Sequence, residues 1–347
     1  MYSEMKLRML SLVLAIVMLL SLAGCTQDNA QTIPNPNEAK GEIVVTDHLN
    51  REVKFEKRAE KIVSGYYITS SMMIALGLED KVVGIEAKPQ VRNIYKLAAP
   101  RFLEVPTVGS MKEFDLEGTA ALNPDLVVLS VRLKDSVESL EKLGIKVIAV
   151  NPESTEGLFE TLDMIGKATG TEERANKIKS YFDEKLGEIE KQIEGKERVR
   201  VYLGGNSDFL STASSKMYQN TLIENAGGEN VAKDIDDTYW ANISYEQLIT
   251  YNPDVIVVVP GASYTREDIL KDERLKRVKA VEENQVYMMP DNIEMWDSPL
   301  PSGILGTMWL NSVLHEDVYS FDKFKDDAFD FYKEFYDIEI NKDDITK

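Results

Sequence analysis

One pattern occurs twice in the chain and restricts the possible folds more than any other feature. Its first copy spans residues 115–128 and its second copy spans residues 244–257. Each copy places a Glu six residues before an Asn-Pro-Asp tripeptide, and a run of Leu, Val and Ile follows at once. The duplication predicts two lobes, each with one helix–turn–strand unit.

The residue types in both units follow from helix chemistry. Asp115 and Ser244 are types that cap helix N-termini, and Glu117 and Glu246 fall in the first turn, where negative charge is favoured. Proline restricts the residue before it, so Asn-Pro is expected to end each helix. On these grounds alone, the two glutamates are helix-start residues near the exposed ends of short helices.

Short runs rich in Val and Ile alternate with helical segments along most of the chain. Ser70 to Leu76 is one such helix, which Gly77 closes, and a continuous apolar run such as Val255 to Val259 suits a strand covered on both faces. This alternation predicts an α/β fold with parallel-rich sheets and helical crossovers. The predicted strands are 43–46 and 52–55, which form an opening hairpin, then 61–64, 82–86, 126–130, 147–150, 199–203, 255–259 and 285–289.

A long polar segment between the two halves predicts a helix of about 24 residues, roughly 36 Å in length. Thr171 is its expected N-cap, apolar residues recur at helical spacing, and Gly195 marks its end. The helix is either a rigid spine between the lobes or an ordinary surface helix of one lobe. We favour the spine, which joins two Rossmann-like lobes (residues 41–155 and 196–347) through a linking helical segment (residues 156–195).

Residues 1–24 have the features of a lipoprotein signal peptide. Lys6 and Arg8 precede an apolar run from Met9 to Leu22, and small residues then lead to Cys25, the only cysteine. This arrangement resembles the bacterial lipobox, in which the thiol receives a diacylglycerol and becomes the new N-terminus. The alternative is a transmembrane anchor, which needs about 20 apolar residues and so a longer run. Residues 25–40 are polar and predict a flexible tether.

Composition narrows the possible partners and sites. The net charge of −19 argues against nucleic acid and anionic membrane surfaces, although a local basic cleft could still bind an anionic small ligand. A single cysteine excludes an internal disulfide and a Cys-based metal site. His48 and His315 are the only histidines and lie outside the predicted cleft, which disfavours bare-metal import and His-ligated haem. Tyrosine-ligated haem remains open.

Further short motifs accompany the two units, and together they resemble class III periplasmic binding proteins. The resemblance covers residues 41 to about 335 and rests on the order and spacing of the motifs. It implies a protein that delivers an iron–siderophore complex, haem or cobalamin to an ABC importer. The motifs are Val45 to Val53, Lys61-Ile62-Val63, Leu76-Gly77-Leu78, Val83-Gly84, Pro106 to Gly109, Trp296 to Ser302, Leu305-Gly306, Trp309-Leu310 and Leu314-His315.

The resemblance also implies a role for the repeated glutamates. In this family one glutamate on each lobe engages arginines of a dimeric permease, which works with a cytoplasmic ATPase, and Glu117 and Glu246 match those positions. Exposed ion pairs contribute only about 0–1 kcal/mol each, so the pair is expected to set docking orientation more than affinity. We expect a monomeric protein, held by lipid on the extracytoplasmic face of the cell membrane.

Ligands of open α/β sheets bind beyond the carboxyl ends of the strands. Residues just past the predicted strands include aromatic rings, which supply contact area, and cations, which suit carboxylate or catecholate oxygens. This predicts a large or chelated ligand between the lobes, with a ferric siderophore favoured and haem or a corrinoid as alternatives. The candidate contacts are Tyr66, Tyr67, Lys112, Arg132, Asn206, Trp240, Tyr264 and Trp296.

Two other classes of protein compete with a transport binding protein. The first is an enzyme, since α/β folds often host catalysis, but the chain contains no nucleophile elbow, P-loop, dinucleotide fingerprint or metal motif. The second is a surface sensor or adhesin lipoprotein without a permease. Neither catalytic residues nor a metal site held by side chains is predicted.

Overall fold

The structure is a computed structural model that describes residues 42–347. The predicted signal peptide (1–24), the lipidation site Cys25 and the tether (25–40) lie outside the described residues. No helix within residues 42–347 is both long enough and apolar enough to cross a membrane.

The N-terminal lobe begins with the predicted antiparallel hairpin and continues as a parallel sheet. The hairpin pairs β1 (Ile43–Thr46) with β2 (Glu52–Phe55). The sheet has the order β4-β3-β5-β6, and all its neighbouring strands are parallel. Its strands are β3 (Ile62–Ser64), β4 (Val82–Ile85), β5 (Leu126–Ser130) and β6 (Val147–Val150), and its helices are α1 (Tyr67–Ala75), α2 (Asn93–Ala98), α3 (Leu116–Ala121) and α4 (Lys134–Lys142).

Two consecutive helices follow this lobe. They are α5 (Thr155–Thr169) and α6 (Glu172–Ile193), and α6 has 22 residues. Thr171 lies at the N-cap position of α6, but its side chain does not cap the helix. Its hydroxyl instead contacts the hydroxyl of Thr169 at 3.0 Å, so the predicted capping role of Thr171 was wrong.

The C-terminal lobe contains a second four-stranded parallel sheet with the order β12-β11-β7-β9. Beside it, two short strands form an antiparallel pair. The strands are β7 (Val199–Gly204), β8 (Ser211–Ala213), β9 (Gly228–Asn230), β10 (Trp240–Asn242), β11 (Val255–Val258) and β12 (Val286–Met288). The helices are α7 (Tyr218–Asn225), α8 (Tyr245–Tyr251), α9 (Arg266–Leu270), α10 (Lys279–Glu282), α11 (Gly303–Leu314) and α12 (Phe321–Phe335).

The two sheets repeat one topology, with β9, β7, β11 and β12 in the places of β4, β3, β5 and β6. The repeated sequence unit is α3 with β5 in one lobe and α8 with β11 in the other. Asp125 and Asp254, at the end of each Asn-Pro-Asp, have equivalent hydrogen bonds to the neighbouring strand. Asp125 accepts from the N–H of Lys61 at 3.0 Å, and Asp254 accepts from the N–H of Arg200 at 2.9 Å.

Each helix of the repeated unit ends just before its proline, as predicted, since α3 ends at Ala121 and α8 ends at Tyr251. Proline disfavours the right-handed helical region for the preceding residue. Asn123 and Asn252 instead adopt left-handed backbone conformations, with φ of 47° and 43°. Asparagine tolerates this region better than most residues, so each Asn ends its helix by a left-handed turn before the proline enforces the exit.

A continuous apolar core joins the two lobes. One cluster of buried side chains contains residues of both sheets and of α6, α11 and α12. Arg174, on α6, donates to the carbonyl oxygens of Ala75 at 2.5 Å and of Phe335 at 2.8 Å, so it links α1 to α12. Tyr181 packs its ring against Phe331 of α12, with centroids 5.3 Å apart. The long helix is therefore packed between elements of both lobes.

Candidate ligand cleft and docking face

The repeated units present their glutamates at equivalent places. Asp115 caps α3 by accepting the N–H of Gly118 at 2.8 Å, and Ser244 caps α8 by accepting the N–H of Gln247 at 3.2 Å. Glu117 and Glu246 are both exposed in the first turns of these helices. Since each helix immediately precedes a strand of its sheet, its start lies at the carboxyl edge of that sheet. Hydrogen bonds from its own backbone and from Ser244 lower the pKa of Glu246.

Tyr66, Tyr67 and Arg132 form one wall at the carboxyl edge of the N-terminal sheet. The rings of Tyr66 and Tyr67 meet edge to face, with centroids 5.2 Å apart. The Tyr66 hydroxyl donates to Glu153 at 3.0 Å, and Arg132 Nη2 lies 3.3 Å from the same carboxylate oxygen. Burial, followed by the nearby Tyr67 and Glu153, raises the pKa of Tyr66, so its phenol is a neutral donor.

Arg92 is a cleft cation that the sequence analysis missed. Its guanidinium lies over the Tyr67 ring, 4.3 Å from the centroid, and its Nη1 lies 3.7 Å from Met295 Sδ in the segment after β12. Arg92 has no carboxylate within ion-pair distance among residues 42–347. A stacked guanidinium is held in a fixed orientation and can offer its N–H groups to an anionic ligand atom. Its position in an irregular segment after β4 gave no periodic signal.

The opposite wall lies at the carboxyl end of β7. Tyr264 donates its hydroxyl to the carbonyl of Gly205 at 2.5 Å, and the exposed Asn206 follows directly. Trp240, 38% exposed, packs its ring over Gly205. Tyr239 beside it is 62% exposed and was not singled out from the sequence. The structure therefore places Asn206, Trp240 and Tyr264 together.

Trp296 and Lys112 stand apart from these two walls. Trp296 is fully buried, and its indole N–H donates to the hydroxyl of Tyr332 at 2.8 Å within the core. The prediction that Trp296 contacts the ligand is therefore wrong. Although the residue follows a strand, its large apolar side chain packs into the core. Lys112 is exposed on the loop between α2 and α3.

Buried carboxyl groups lie where the segment after β12 meets the N-terminal lobe. Glu294 accepts the Ser71 hydroxyl at 2.5 Å and also the Ser302 hydroxyl, which links α1 to the C-terminal lobe. Burial raises the pKa of Glu294, although the hydroxyl groups oppose this effect. The Tyr67 hydroxyl contacts Ser298 Oγ at 3.4 Å, beside the buried Asp297. This junction is the floor of the cleft.

Histidines and carboxylates form no metal site in the part of the chain that the structure describes. No group of three or more His, Cys, Asp or Glu side chains there could hold a metal ion. His48 binds Glu160 at 2.7 Å beside the opening hairpin, and His315 ends α11 with its ring near the carbonyl of Gly227 at 3.3 Å. Both positions lie away from the two walls of the cleft.

Two similar α/β lobes with a cleft between their carboxyl edges define a solute-binding protein. A match to the family described as periplasmic binding protein spans residues 62–293, more than half of the chain, so the chain belongs to this family. It is a class III substrate-binding protein of an ABC transporter and not an enzyme.

Relatives and solved structures support the same class. The molybdate-binding protein MolA of Haemophilus influenzae is 24% identical over 331 residues, which cover 88% of this chain and 93% of the relative. The petrobactin-binding protein YclQ of Bacillus subtilis is 22% identical over 288 residues, which cover 80% and 89%. A periplasmic solute binding protein from Veillonella parvula has the same fold, with a TM-score of 0.78, 24% identity and coverage of 88% and 95%.

Proposed function

We propose that this protein captures a ferric siderophore or a related metal chelate between its lobes and delivers it to an ABC permease. The observation that carries the proposal is the combination of fixed cations and aromatic rings on the cleft walls. Arg92 is stacked on Tyr67, and Tyr239 and Trp240 expose their rings on the other side. Fixed guanidinium groups suit anionic oxygens, and exposed rings suit the large apolar surface of an organic chelate.

The relatives support a metal-containing anionic ligand without fixing its identity. One is named for molybdate and another for petrobactin. A tetrahedral oxyanion is small and needs no aromatic platform, so the exposed rings of Tyr239 and Trp240 favour the larger chelate. Haem and corrinoids are the alternative ligands, since flat macrocycles also suit aromatic walls.

A ligand panel tests this part of the proposal. Purified protein is heated with ferric siderophores, haemin, cobalamin or molybdate, each at about 100 times the dissociation constant expected for a binder. A ligand specific for the folded state should then add about 2.7 kcal/mol of stability. Stabilisation by a ferric siderophore supports the proposal. Stabilisation by molybdate alone would show that the ligand is an oxyanion and not a chelate.

Delivery to the permease is proposed to depend on Glu117 and Glu246. Their equivalent, exposed positions at the carboxyl edges of both sheets support simultaneous contact with two permease subunits. The protein is proposed to act as a monomer, held on the extracytoplasmic face of the membrane by lipid on Cys25.

The docking role is tested by uptake of an iron-55 siderophore in cells that carry the cognate permease and ATPase. The double variant Glu117→Ala, Glu246→Ala is expected to bind ligand normally and to abolish uptake. The matched control, Glu138→Ala with Glu267→Ala, removes two other exposed glutamates and should preserve uptake. If the double variant loses ligand affinity to the same extent as it loses uptake, the docking role is wrong.

The lipid anchor is tested separately with Cys25→Ser. This variant should no longer incorporate labelled fatty acid and should be released from the cell envelope. Continued membrane retention without label would count against lipidation.

A further inference from the structure

The floor of the cleft holds a carboxylate that has no cationic partner. Asp297 lies in the segment after β12 and keeps 8% of its surface exposed. Among residues 42–347 no Lys, Arg or His forms an ion pair with it. Its neighbour Ser298 contacts the hydroxyl of Tyr67, so Asp297 lies at the junction of the two lobes. A buried charge without a partner is costly unless something compensates it.

Gln219 adds a second acceptor at the same place. Its side-chain NH2 donates to Asp297 Oδ2 at 3.2 Å. The amide oxygen of Gln219 is buried and receives no hydrogen bond from any described residue. Because the NH2 group must face the carboxylate, the amide oxygen is left as a free acceptor, and Gln219 is only 6% exposed. Buried acceptors without donors cost free energy and are uncommon in native proteins.

Asp297 adjoins the cleft wall through Ser298, whose Oγ lies 3.4 Å from the hydroxyl of Tyr67. Gln219 is in the first turn of α7, and Asp297 lies between β12 and α11. Burial raises the pKa of Asp297 to about 6, while hydrogen bonds from Gln219, its own backbone and Ser298 oppose the rise. At neutral pH the group is therefore largely ionised, and a positively charged donor would complement it.

We propose that Asp297 and Gln219 form an acceptor subsite for a protonated amine of the ligand. The inference rests on the proposed function, and it specifies the chelate further. Arg92 and Arg132 on the wall suit anionic oxygens, whereas the floor suits an ammonium group. The ligand is then an organic ferric chelate that also carries an amine. A bare oxyanion and a haem have no such donor, so both would leave the buried acceptors unpaired.

Ferrioxamine B and its N-acetyl derivative provide a matched pair of probes. Both carry the same ferric hydroxamate centre, and acetylation replaces the terminal ammonium by a neutral amide. Titration calorimetry on the wild-type protein should give an affinity about tenfold higher for ferrioxamine B than for the acetylated form. Equal affinities in the wild type would overturn the inference and leave the proposed function intact.

Variants test whether Asp297 and Gln219 cause the preference for the amine. Asp297→Asn keeps the shape of the side chain and should abolish the preference for the amine. Gln219→Met removes the free acceptor and should reduce the preference for the amine. Asp327→Asn changes another buried aspartate, on α12, and should preserve the preference. A preference that survives in both Asp297→Asn and Gln219→Met would overturn the assignment.

The remaining outcomes separate the inference from the proposed function. Haemin and molybdate are titrated in parallel. If either binds and neither ferrioxamine does, the amine subsite is wrong while import of a metal-containing ligand stands. If none of the four probes binds, the amine subsite fails, and the wider siderophore panel decides the chelate function.

Discussion

The hydroxyl of Tyr66 donates to the carboxylate of Glu153 at 3.0 Å, which joins the end of β3 to the segment after β6. Arg132 Nη2 lies 3.3 Å from the same oxygen. One carboxylate thus orients a phenol and partly neutralises a guanidinium on the same wall of the cleft. Glu153 therefore competes with any anionic ligand group for Arg132.

Replacing Glu153 by Gln is expected to raise the affinity for an anionic ferric tris-catecholate by about two- to fivefold. The neutral amide can still accept from Tyr66, and Arg132 becomes free to meet the ligand. The gain is small because the Arg132 side chain is 65% exposed and water screens the charge. Titration calorimetry at low and high salt measures it, and the gain should shrink at high salt.

Glu138→Gln is the control, since this glutamate faces Lys134 at 3.9 Å on the exposed surface of α4. Its affinity should match that of the wild type. A loss of affinity in Glu153→Gln would mean that Glu153 contacts the ligand directly.

Trp296→Phe is expected to lower the free energy of unfolding by about 1–3 kcal/mol without changing ligand affinity. The change leaves a gap beside Phe324, whose ring lies 5.6 Å from the indole, and removes the hydrogen bond to Tyr332. Urea unfolding measures the loss.

Trp240→Phe should give the reverse result, with weaker ligand binding and little loss of stability, because Trp240 is partly exposed at the cleft. Weaker binding by Trp296→Phe would contradict its placement in the core.

The sequence predicted the parts of the fold that have strong local signals. Leu126–Ser130 and Val147–Val150 match their predicted bounds, because continuous apolar runs mark buried strands. Gly77, with φ of 68°, closes α1 as expected. The strand Gly228–Asn230 was missed, since Gly-Glu-Asn has no apolar pattern and pairs only because β7 lies beside it.

The cleft was harder to predict because its geometry depends on both lobes. Tyr66 and Arg132 could be found, since each directly follows a strand. Arg92 could not be predicted as a cleft residue, because its contacts Tyr67 and Met295 belong to different lobes and are far apart in the sequence. Trp296 also follows a strand, yet the α12 side chains that bury it are distant in sequence. Position after a strand identifies an edge of the sheet, whereas packing decides which side chains remain exposed there.

Asp297→Asn is expected to change how stability depends on pH. The folded-state pKa of about 6 lies above the ordinary value of 3.8 because of burial. The raised pKa therefore contributes to the free energy of unfolding. This contribution is fully present below about pH 4 and is lost as the pH rises through 6. The free energy of unfolding of the Asn variant, relative to that of the wild type, should therefore be about 2–3 kcal/mol higher at pH 7.5 than at pH 4. Urea unfolding of both proteins across this range measures the difference, and a constant gap would contradict a raised pKa.

Asp125→Ala and Asp254→Ala are expected to destabilise the protein by similar amounts, about 1–3 kcal/mol each. Each change leaves a backbone N–H at the start of a central strand, that of Lys61 or of Arg200, without its carboxylate acceptor. The sites lie in different lobes and share no hydrogen-bond partner, so the two losses should add to within about 0.5 kcal/mol in the double variant. Chemical unfolding of the four proteins completes the cycle. Asp135→Ala, at an exposed first-turn aspartate of α4, is the control and should cost less than about 1 kcal/mol. A large loss at one site and none at the other would show that the two Asn-Pro-Asp turns do not support their lobes in the same way.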